Sequence, residues 1–178
     1  MEAVNRRRIV ILAVSAALLL AVGGCGSSSS TSSAPAGSSI STAGTSTTSF
    51  AKTKFVLHAG LAFGAFHRWV YKPAKAGELT HPLQHKLTTL KAVAAAAFVY
   101  HELKLALAAA QADPTLSKLV APITALQDKI KGLPNQVKGG AASSSTADDL
   151  NSAISSIKGQ AASAGQPIAE QTPATPSG

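Results

Sequence analysis

Apolar side chains recur at helical spacing through much of this 178-residue chain, and the pattern predicts four helices between about residues 50 and 165. The first helix covers residues 55–71, and Pro73 is expected to end it because proline disfavours a helical conformation in the preceding residue. Gly60 and Gly64 expose a strip of backbone that another helix can approach closely. One face of this helix is apolar throughout: Phe55, Ala59, Ala62, Phe66, Trp69 and Val70.

The second helix is expected to begin near Pro82, with Thr80 or His81 as its cap, and to run to about Ala112. At about 100 degrees per residue, one stripe is predicted to face the core. A second strip near the C-terminal half indicates that the helix is central and is touched on two sides. The first stripe contains Leu83, Leu87, Leu90, Ala94, Ala97, Phe98, His101, Leu105 and Ala108, and the second contains Val99, Leu103 and Leu107.

Asp113 followed by Pro114 is a typical helix start and opens the third helix. Pro122 predicts a kink or a short break in it, because proline removes one hydrogen bond of the helix. Gly132 and Pro134 are expected to end it. Its apolar stripe consists of Leu116, Leu119, Val120, Ile123, Leu126, Ile130 and Leu133.

The fourth helix is shorter and is expected to lie at the periphery. A capping-box variant at residues 146–149 predicts its start. Leu150, Ala153, Ile154 and Ile157 then line one face.

The composition makes an all-α fold the natural expectation. Alanine dominates the apolar residues and aromatic residues are few, which favours closely packed helices over a β-sandwich. We therefore predict a small Ala-rich bundle of three to four helices in residues 50–165. The Ser/Thr/Gly-rich residues 25–49 predict a disordered tether, and the Pro/Thr-rich residues 166–178 predict a disordered tail, because neither segment has enough apolar content to offset the entropy of ordering.

Residues 1–24 have the pattern of an export signal. Three arginines precede an apolar core at residues 9–22. This core has the length of a signal-peptide core and is shorter than the roughly 20 residues that a membrane span needs. We expect the segment to be removed after export.

The end of this signal, Val22-Gly23-Gly24-Cys25, resembles the lipobox of bacterial lipoproteins. The Ala-rich style and the Ser/Thr-rich tether also resemble lipoproteins of high-GC actinobacteria. The resemblance implies that the Cys25 sulfur receives a diacylglyceryl group and that cleavage makes Cys25 the first residue of the mature chain. Two acyl chains anchor a protein stably, because each buried methylene contributes about 0.8 kcal/mol. The expected location is the extracytoplasmic face of the cell membrane.

The mature chain is expected to be moderately basic. Once residues 1–24 are removed, 13 basic and 7 acidic residues remain, a net charge of +6. Such a charge favours anionic lipid headgroups, anionic envelope polymers or another envelope protein as partners. The basic residues are scattered singly, and nucleic acid is not an expected partner of an exported protein.

Histidines are the residues that invite a chemical proposal, because imidazole commonly binds metals and haem. His81 and His85 have helical i, i+4 spacing, although Pro82 places His81 outside regular helix geometry. His101 lies on the predicted core stripe and is the best single candidate for a functional or hydrogen-bonded buried histidine. His58 and His67 are about half a turn out of phase and cannot hold one ion from the same face.

No catalytic site is expected. The serines cluster in linkers, Cys25 is committed to lipidation, and the Asp residues are expected to cap helices or face solvent. The leading hypothesis is a membrane-anchored, non-enzymatic envelope lipoprotein without a cofactor, with a binding or structural role. The alternatives are a histidine-dependent metal- or haem-binding lipoprotein and a membrane-interacting hairpin of the first two helices.

Overall fold

The computed structural model describes the backbone of residues 43–178 and the side chains from residue 50 onward. The predicted export signal, Cys25 and the tether up to residue 42 lie outside the described residues. Within residues 43–178 the fold is all-α, as predicted, and contains no strand. The helices are α1 (Ala43–Phe66), α2 (Lys72–Lys75), α3 (Lys86–Gln111), α4 (Ser117–Lys131), α5 (Leu133–Lys138) and α6 (Ser144–Ser163).

The long helices α1, α3, α4 and α6 form the bundle. Helix α3 is central, because it packs on α1, α4 and α5, and α4 packs in turn on α6. Alanines on α1 and α3 allow their backbones to come close, and larger side chains fill the space between the other helices. The largest fully buried side chains include Phe55, Phe63, Phe66, Leu103, Leu119, Ile123, Leu126, Ile130 and Ile154.

The apolar face predicted for the first helix is confirmed. Phe55, Ala59, Ala62, Phe66 and Val70 are buried, and Trp69 is half-buried. The helix is longer than expected, because it begins at Ala43 rather than near residue 55.

The expected end of this helix before Pro73 is wrong. A π-helical turn, His67–Tyr71, follows α1, and the Lys72 N–H donates to the His67 carbonyl. This turn shifts the hydrogen-bond register just before Pro73, which then lies in the first turn of α2, where its missing N–H matters least. Burial of Val70 and Ala74 on either side outweighs the preference of Lys72 for an extended conformation.

The predicted start of the second helix at Pro82 is also wrong. Residues 82–85 form turns, and α3 begins at Lys86 after His85, which makes no side-chain capping bond. The Thr80 hydroxyl donates to the Gly77 carbonyl in the preceding 3-10 turn, so it is not free to cap α3. His81 has φ −124° and ψ 64°, outside the helical region.

The start predicted at Asp113 is confirmed. The buried Asp113 carboxylate accepts hydrogen bonds from the Thr115 N–H and hydroxyl, both at 2.8 Å. Burial alone would raise the Asp113 pKa, but these bonds and the nearby Lys52 ammonium hold it below its ordinary value. A 3-10 turn, Pro114–Leu116, precedes α4.

Helix α4 runs without interruption through Pro122, so the predicted break is absent. Its stripe is confirmed, since Leu119, Ile123, Leu126 and Ile130 are buried. Gly132 ends the helix as expected, but Pro134 lies in the first turn of α5 rather than beyond the last helical residue.

Helix α6 is longer than expected, and it packs on α4 and on the π-helical turn rather than on the central helix α3. The Ser143 hydroxyl, rather than a residue of the predicted box at 146–149, accepts from the Thr146 N–H and caps it. Leu150, Ile154 and Ile157 are buried as predicted. Asp148 does not cap the helix but accepts bonds from Tyr71 (3.2 Å) and Lys75 (2.9 Å), which tie α6 to the π-helical turn and α2.

The tail, residues 166–178, contains no helix or strand, but it is packed against the bundle. Ile168 is buried in the core, and the Gln171 N–H donates to the Gly60 carbonyl at 3.0 Å. The tail, rather than a helix, therefore lies on the Gly60/Gly64 strip. A Cβ at Gly60 would come within 2.5 Å of the Ala169 carbonyl oxygen, so the close approach requires glycine there.

Candidate functional site

The outward face of α3 is apolar. Leu83, just before the helix, is 82% exposed, and Leu87 and Leu90 in its first turns are 65% and 66% exposed. Isolated exposed leucines are ordinary in folded proteins. These three lie at i, i+4 and i+7, and the two in α3 therefore share one side of the helix, with Leu83 placed just ahead of them. Nothing in the described bundle covers them.

This face corrects the predicted core stripe of the second helix. Of the stripe's members, Leu83, Leu87, Leu90, Ala97, His101 and Ala108 are exposed. The buried side of α3 is nearly opposite and is built largely from small residues: Ala92, Ala95, Ala96, Val99, Leu103, Ala106 and Ala110. The second predicted strip is confirmed at Val99 and Leu103. The stripe was wrong because close packing on α1 favours alanine, and the sequence pattern alone ranks leucine above alanine for burial.

Cationic side chains border the exposed leucines. Lys86 lies on one edge of the face, about 70 degrees from its centre by helical rotation, and Lys104 lies on the same edge about 21 Å farther along the axis than Leu90. Lys91 lies on the other edge, where its Nζ is 5.6 Å from the centre of the Trp69 ring. The Arg68 guanidinium is 4.8 Å from the same ring. Both distances are within the range of cation–π attraction.

No acidic side chain of α3 is exposed on this face. Glu102 is the one acidic residue of α3; by helical rotation it lies about 90 degrees from the centre of the face, and it is buried. Its Oε2 lies 2.7 Å from the His58 Nδ1 on α1. The exposed leucines at the start of α3 therefore have cations beside them and no acidic residue of this helix, and we call Leu83, Leu87 and Leu90 with Lys86 and Lys91 the leucine–lysine face.

The His58–Glu102 pair borders a cavity of about 310 Å³ between α1 and the C-terminal end of α3. A carboxylate that bonds one ring nitrogen fixes the orientation of the imidazole and leaves the other nitrogen available as a base or a metal ligand. The lining of the cavity is otherwise formed by Phe50, Ala51, Lys54, Leu105, Ala108, Ala109 and Ala112. None of these side chains is a nucleophile of the Ser or Cys type, so the pair is a positioned imidazole without a reaction partner in that lining.

The histidines proposed as metal ligands do not come together. His81, His85 and His101 are all exposed, and the His81 Nδ1 lies 2.9 Å from the hydroxyl of its neighbour Thr80. The placement of His101 in the core is wrong, because the stripe that carries it faces outward. Among residues 50–178, no group of three or more His, Cys, Asp or Glu side chains is arranged to hold a metal ion.

The second carboxylate–histidine pair holds the tail. Glu170 Oε2 lies 2.6 Å from His67 Nδ1, and Lys158 on α6 donates to Glu170 Oε1, also at 2.6 Å. Partial burial would raise the Glu170 pKa, but the bonds from Lys158 and His67 lower it below its ordinary value of 4.5.

Sequence reasoning missed both Glu102 and Glu170. A lone glutamate inside an apolar helix was the available signal for the first, since buried carboxylates need a partner.

A wider cleft of about 610 Å³ lies between the start of α4 and the end of α6. Small and hydroxyl-bearing residues dominate its lining, with Lys118 as its one charged side chain. Gly159 faces open space in this region, since a Cβ there would meet no atom within 4 Å. The polar groups of this lining do not indicate a particular class of ligand.

No family model matches the chain, and no characterised protein or solved structure is similar to it. Among the described helices, α3 alone is long and apolar enough to cross a membrane by length and composition. Of the window that meets this criterion, 44% is buried inside the bundle, and a core helix passes the same test. The features that bear on function are therefore the predicted export signal and the leucine–lysine face.

Proposed function

We propose that the protein is a membrane-anchored envelope lipoprotein that acts by binding rather than by catalysis. The resemblance of residues 22–25 to a lipobox supports the anchor at Cys25. The leucine–lysine face is the observation that carries the binding role, because it leaves three leucines in water although the core of the bundle is filled without them. Grouped exposed apolar residues of this kind typically mark interaction sites.

The arrangement of the histidines supports a non-enzymatic role. His58 and His67 each bond one carboxylate. These bonds join α1 to α3, and, with Lys158, join the tail to the π-helical turn and α6. Both pairs therefore have a structural use. The histidine-dependent metal alternative would need a set of three or more ligands, which residues 50–178 do not assemble.

Metabolic labelling tests the anchor. The full chain, expressed in a bacterium with lipoprotein processing, should incorporate labelled palmitate and enter the detergent phase on Triton X-114 partitioning. The Cys25→Ser variant should take up no label, because the acyl chains attach through that sulfur. Ser30→Ala is the matched control, since it changes the neighbouring sequence but leaves the lipobox intact. A wild-type chain that carries no label under these conditions would contradict the proposal.

A further inference from the structure

We propose that the leucine–lysine face of α3 docks on the anionic lipid surface of the membrane to which the protein is anchored. The leucines would enter the boundary between headgroups and acyl chains, and the lysines would remain at the level of the phosphates. The choice of membrane rests on the proposed anchor at Cys25. The docking itself is a property of the described helices and can be tested without the anchor.

The shape of the face fits an interface. Interfacial helices lie in the membrane plane and bury their apolar side by about 5–10 Å. Leu87 and Leu90 are about 4.5 Å apart along the axis of the first turns of α3, and Leu83 lies in the turn just before the helix. All three are among the most exposed large apolar side chains described. The buried side of the same helix remains in the bundle core, so docking requires no unfolding.

Charge selects the lipid partner. Lys86 and Lys91 flank the leucines, and Arg68 lies beside Trp69 at the Lys91 edge. Long basic side chains can lay their methylenes along an apolar surface and keep the charge at the headgroups. A protein partner for this face would have to present carboxylates at matching positions, whereas an anionic leaflet supplies diffuse negative charge at every position.

The position of the anchor adds to the affinity. Only 17 residues separate Cys25 from Ala43, so even a fully extended connection spans at most about 65 Å. An anchored domain is thereby held near the bilayer at high effective concentration, and weak docking suffices.

The size of the effect follows from the two leucines within α3. Burial of a leucine side chain changes a partition equilibrium by about tenfold or more. Replacing both Leu87 and Leu90 by Ser should therefore weaken vesicle binding by about a hundredfold. Each lysine near an anionic surface contributes about fivefold, and salt should reduce this contribution by screening.

The experiment uses the mature chain, residues 25–178, with Cys25→Ser so that no lipid is attached. Every described core residue lies between Ala51 and Ile168, and so the omission of residues 1–24 removes none of them. Vesicles of phosphatidylglycerol with phosphatidylethanolamine are compared with vesicles of phosphatidylcholine by co-sedimentation. Trp69, the one tryptophan of the chain, reports binding through a change in its fluorescence.

The proposal predicts binding to the phosphatidylglycerol vesicles, weaker binding to phosphatidylcholine, and a loss of about a hundredfold in Leu87→Ser/Leu90→Ser. Leu57→Ser is the matched control, because Leu57 is 41% exposed but lies on α1 beside the tail. It should bind like the parent chain. Circular dichroism establishes that both variants keep the parent helix content.

Two results would overturn the proposal. One is the absence of binding to either vesicle by a folded parent chain. The other is self-association of the parent chain in analytical ultracentrifugation that Leu87→Ser/Leu90→Ser abolishes, which would assign the face to a second copy. Neither result affects the palmitate labelling at Cys25, so failure of the docking proposal is distinguishable from failure of the proposed anchor.

Discussion

The contact between the tail and Gly64 makes an unusual prediction, because the same substitution should change sign with the length of the chain. Gly64→Ala in the middle of an exposed helix would normally stabilise by about 0.8–1.0 kcal/mol, the difference in helix propensity. Here a Cβ would come within 2.9 Å of the Thr172 nitrogen and still closer to the Gln171 carbonyl. Both are main-chain atoms, so the tail has to leave its position.

Displacing the tail removes two interactions of known magnitude, besides the bonds of Glu170 to His67 and Lys158. Ile168 would return to water, at a cost of about 1.5–3 kcal/mol. The hydrogen bond from the Gln171 N–H to the Gly60 carbonyl contributes about 0.5–1.5 kcal/mol. Part of this loss is offset by the helix propensity of alanine and by the freedom that the tail regains. We expect Gly64→Ala to destabilise the full mature chain by about 1–3 kcal/mol.

Urea unfolding followed by circular dichroism measures this difference in two backgrounds. In a chain that ends at Gly165 the obstacle is gone, and Gly64→Ala should stabilise by about 0.8–1.0 kcal/mol. Gly159→Ala on α6 is the control, since a Cβ there meets no atom within 4 Å and should stabilise both chains. A Gly64→Ala that stabilises the full chain as much as the shortened one would refute the tail contact.

Two further predictions concern the tail's carboxylate and the orientation of α3. The pKa of Glu170 is lowered in the folded state, so the ionised carboxylate stabilises the fold. This contribution to the free energy of unfolding is complete above pH 4.5, the ordinary pKa, and is lost as the pH falls through the pKa of the folded state. Glu170→Gln should therefore be less stable than the parent near neutral pH but equal to it in acid, and a deficit that persists in acid would contradict this. In the same urea assay, Leu90→Ala should change stability by no more than about 0.5 kcal/mol, and Leu103→Ala should cost about 2–5 kcal/mol. Equal costs would mean that α3 is rotated from the orientation described.

Where large apolar and polar residues separate cleanly, the sequence pattern predicted the fold. Helix α4 alternates buried Ile and Leu with Lys and Asp, and its stripe was identified correctly. The same holds for α6 at Leu150, Ile154 and Ile157. In these helices one side is far more apolar than the other, so the burial preference of single residues decides the orientation.

Helix α3 shows where this reasoning fails. Its residues are apolar on most of the circumference, so hydrophobic periodicity does not single out one side. Size then suggested that leucine belongs inside and alanine outside. Which side of α3 is buried depends on how closely α3 approaches α1, and that distance is set by residues far away in the sequence. The error also placed His101 in the core and obscured the one face that now carries the functional proposal.

The tail was missed for a different reason. Its composition correctly predicted irregular backbone, but its attachment uses the main-chain carbonyl of Gly60 and a single carboxylate, Glu170, between His67 and Lys158. Because every residue has a main-chain carbonyl, the pattern of side chains does not indicate which carbonyl will accept such a bond. The Gly60/Gly64 spacing did indicate a close approach, although it did not identify what approaches.

These outcomes bear on function because they separate the residues that the fold uses from those it leaves over. Glu102, the single acidic residue of α3, bonds to His58, and the buried alanines of α3 pack on α1, so both have a structural role. Leu87 and Leu90 have no such use, although a polar residue at either position would serve folding equally well and solubility better. The cations beside them have no exposed acidic partner on α3. A surface that is unnecessary for folding and unfavourable in water is most simply explained by contact with something that is both apolar and anionic, and the leaflet in which we propose that Cys25 is anchored would have both properties.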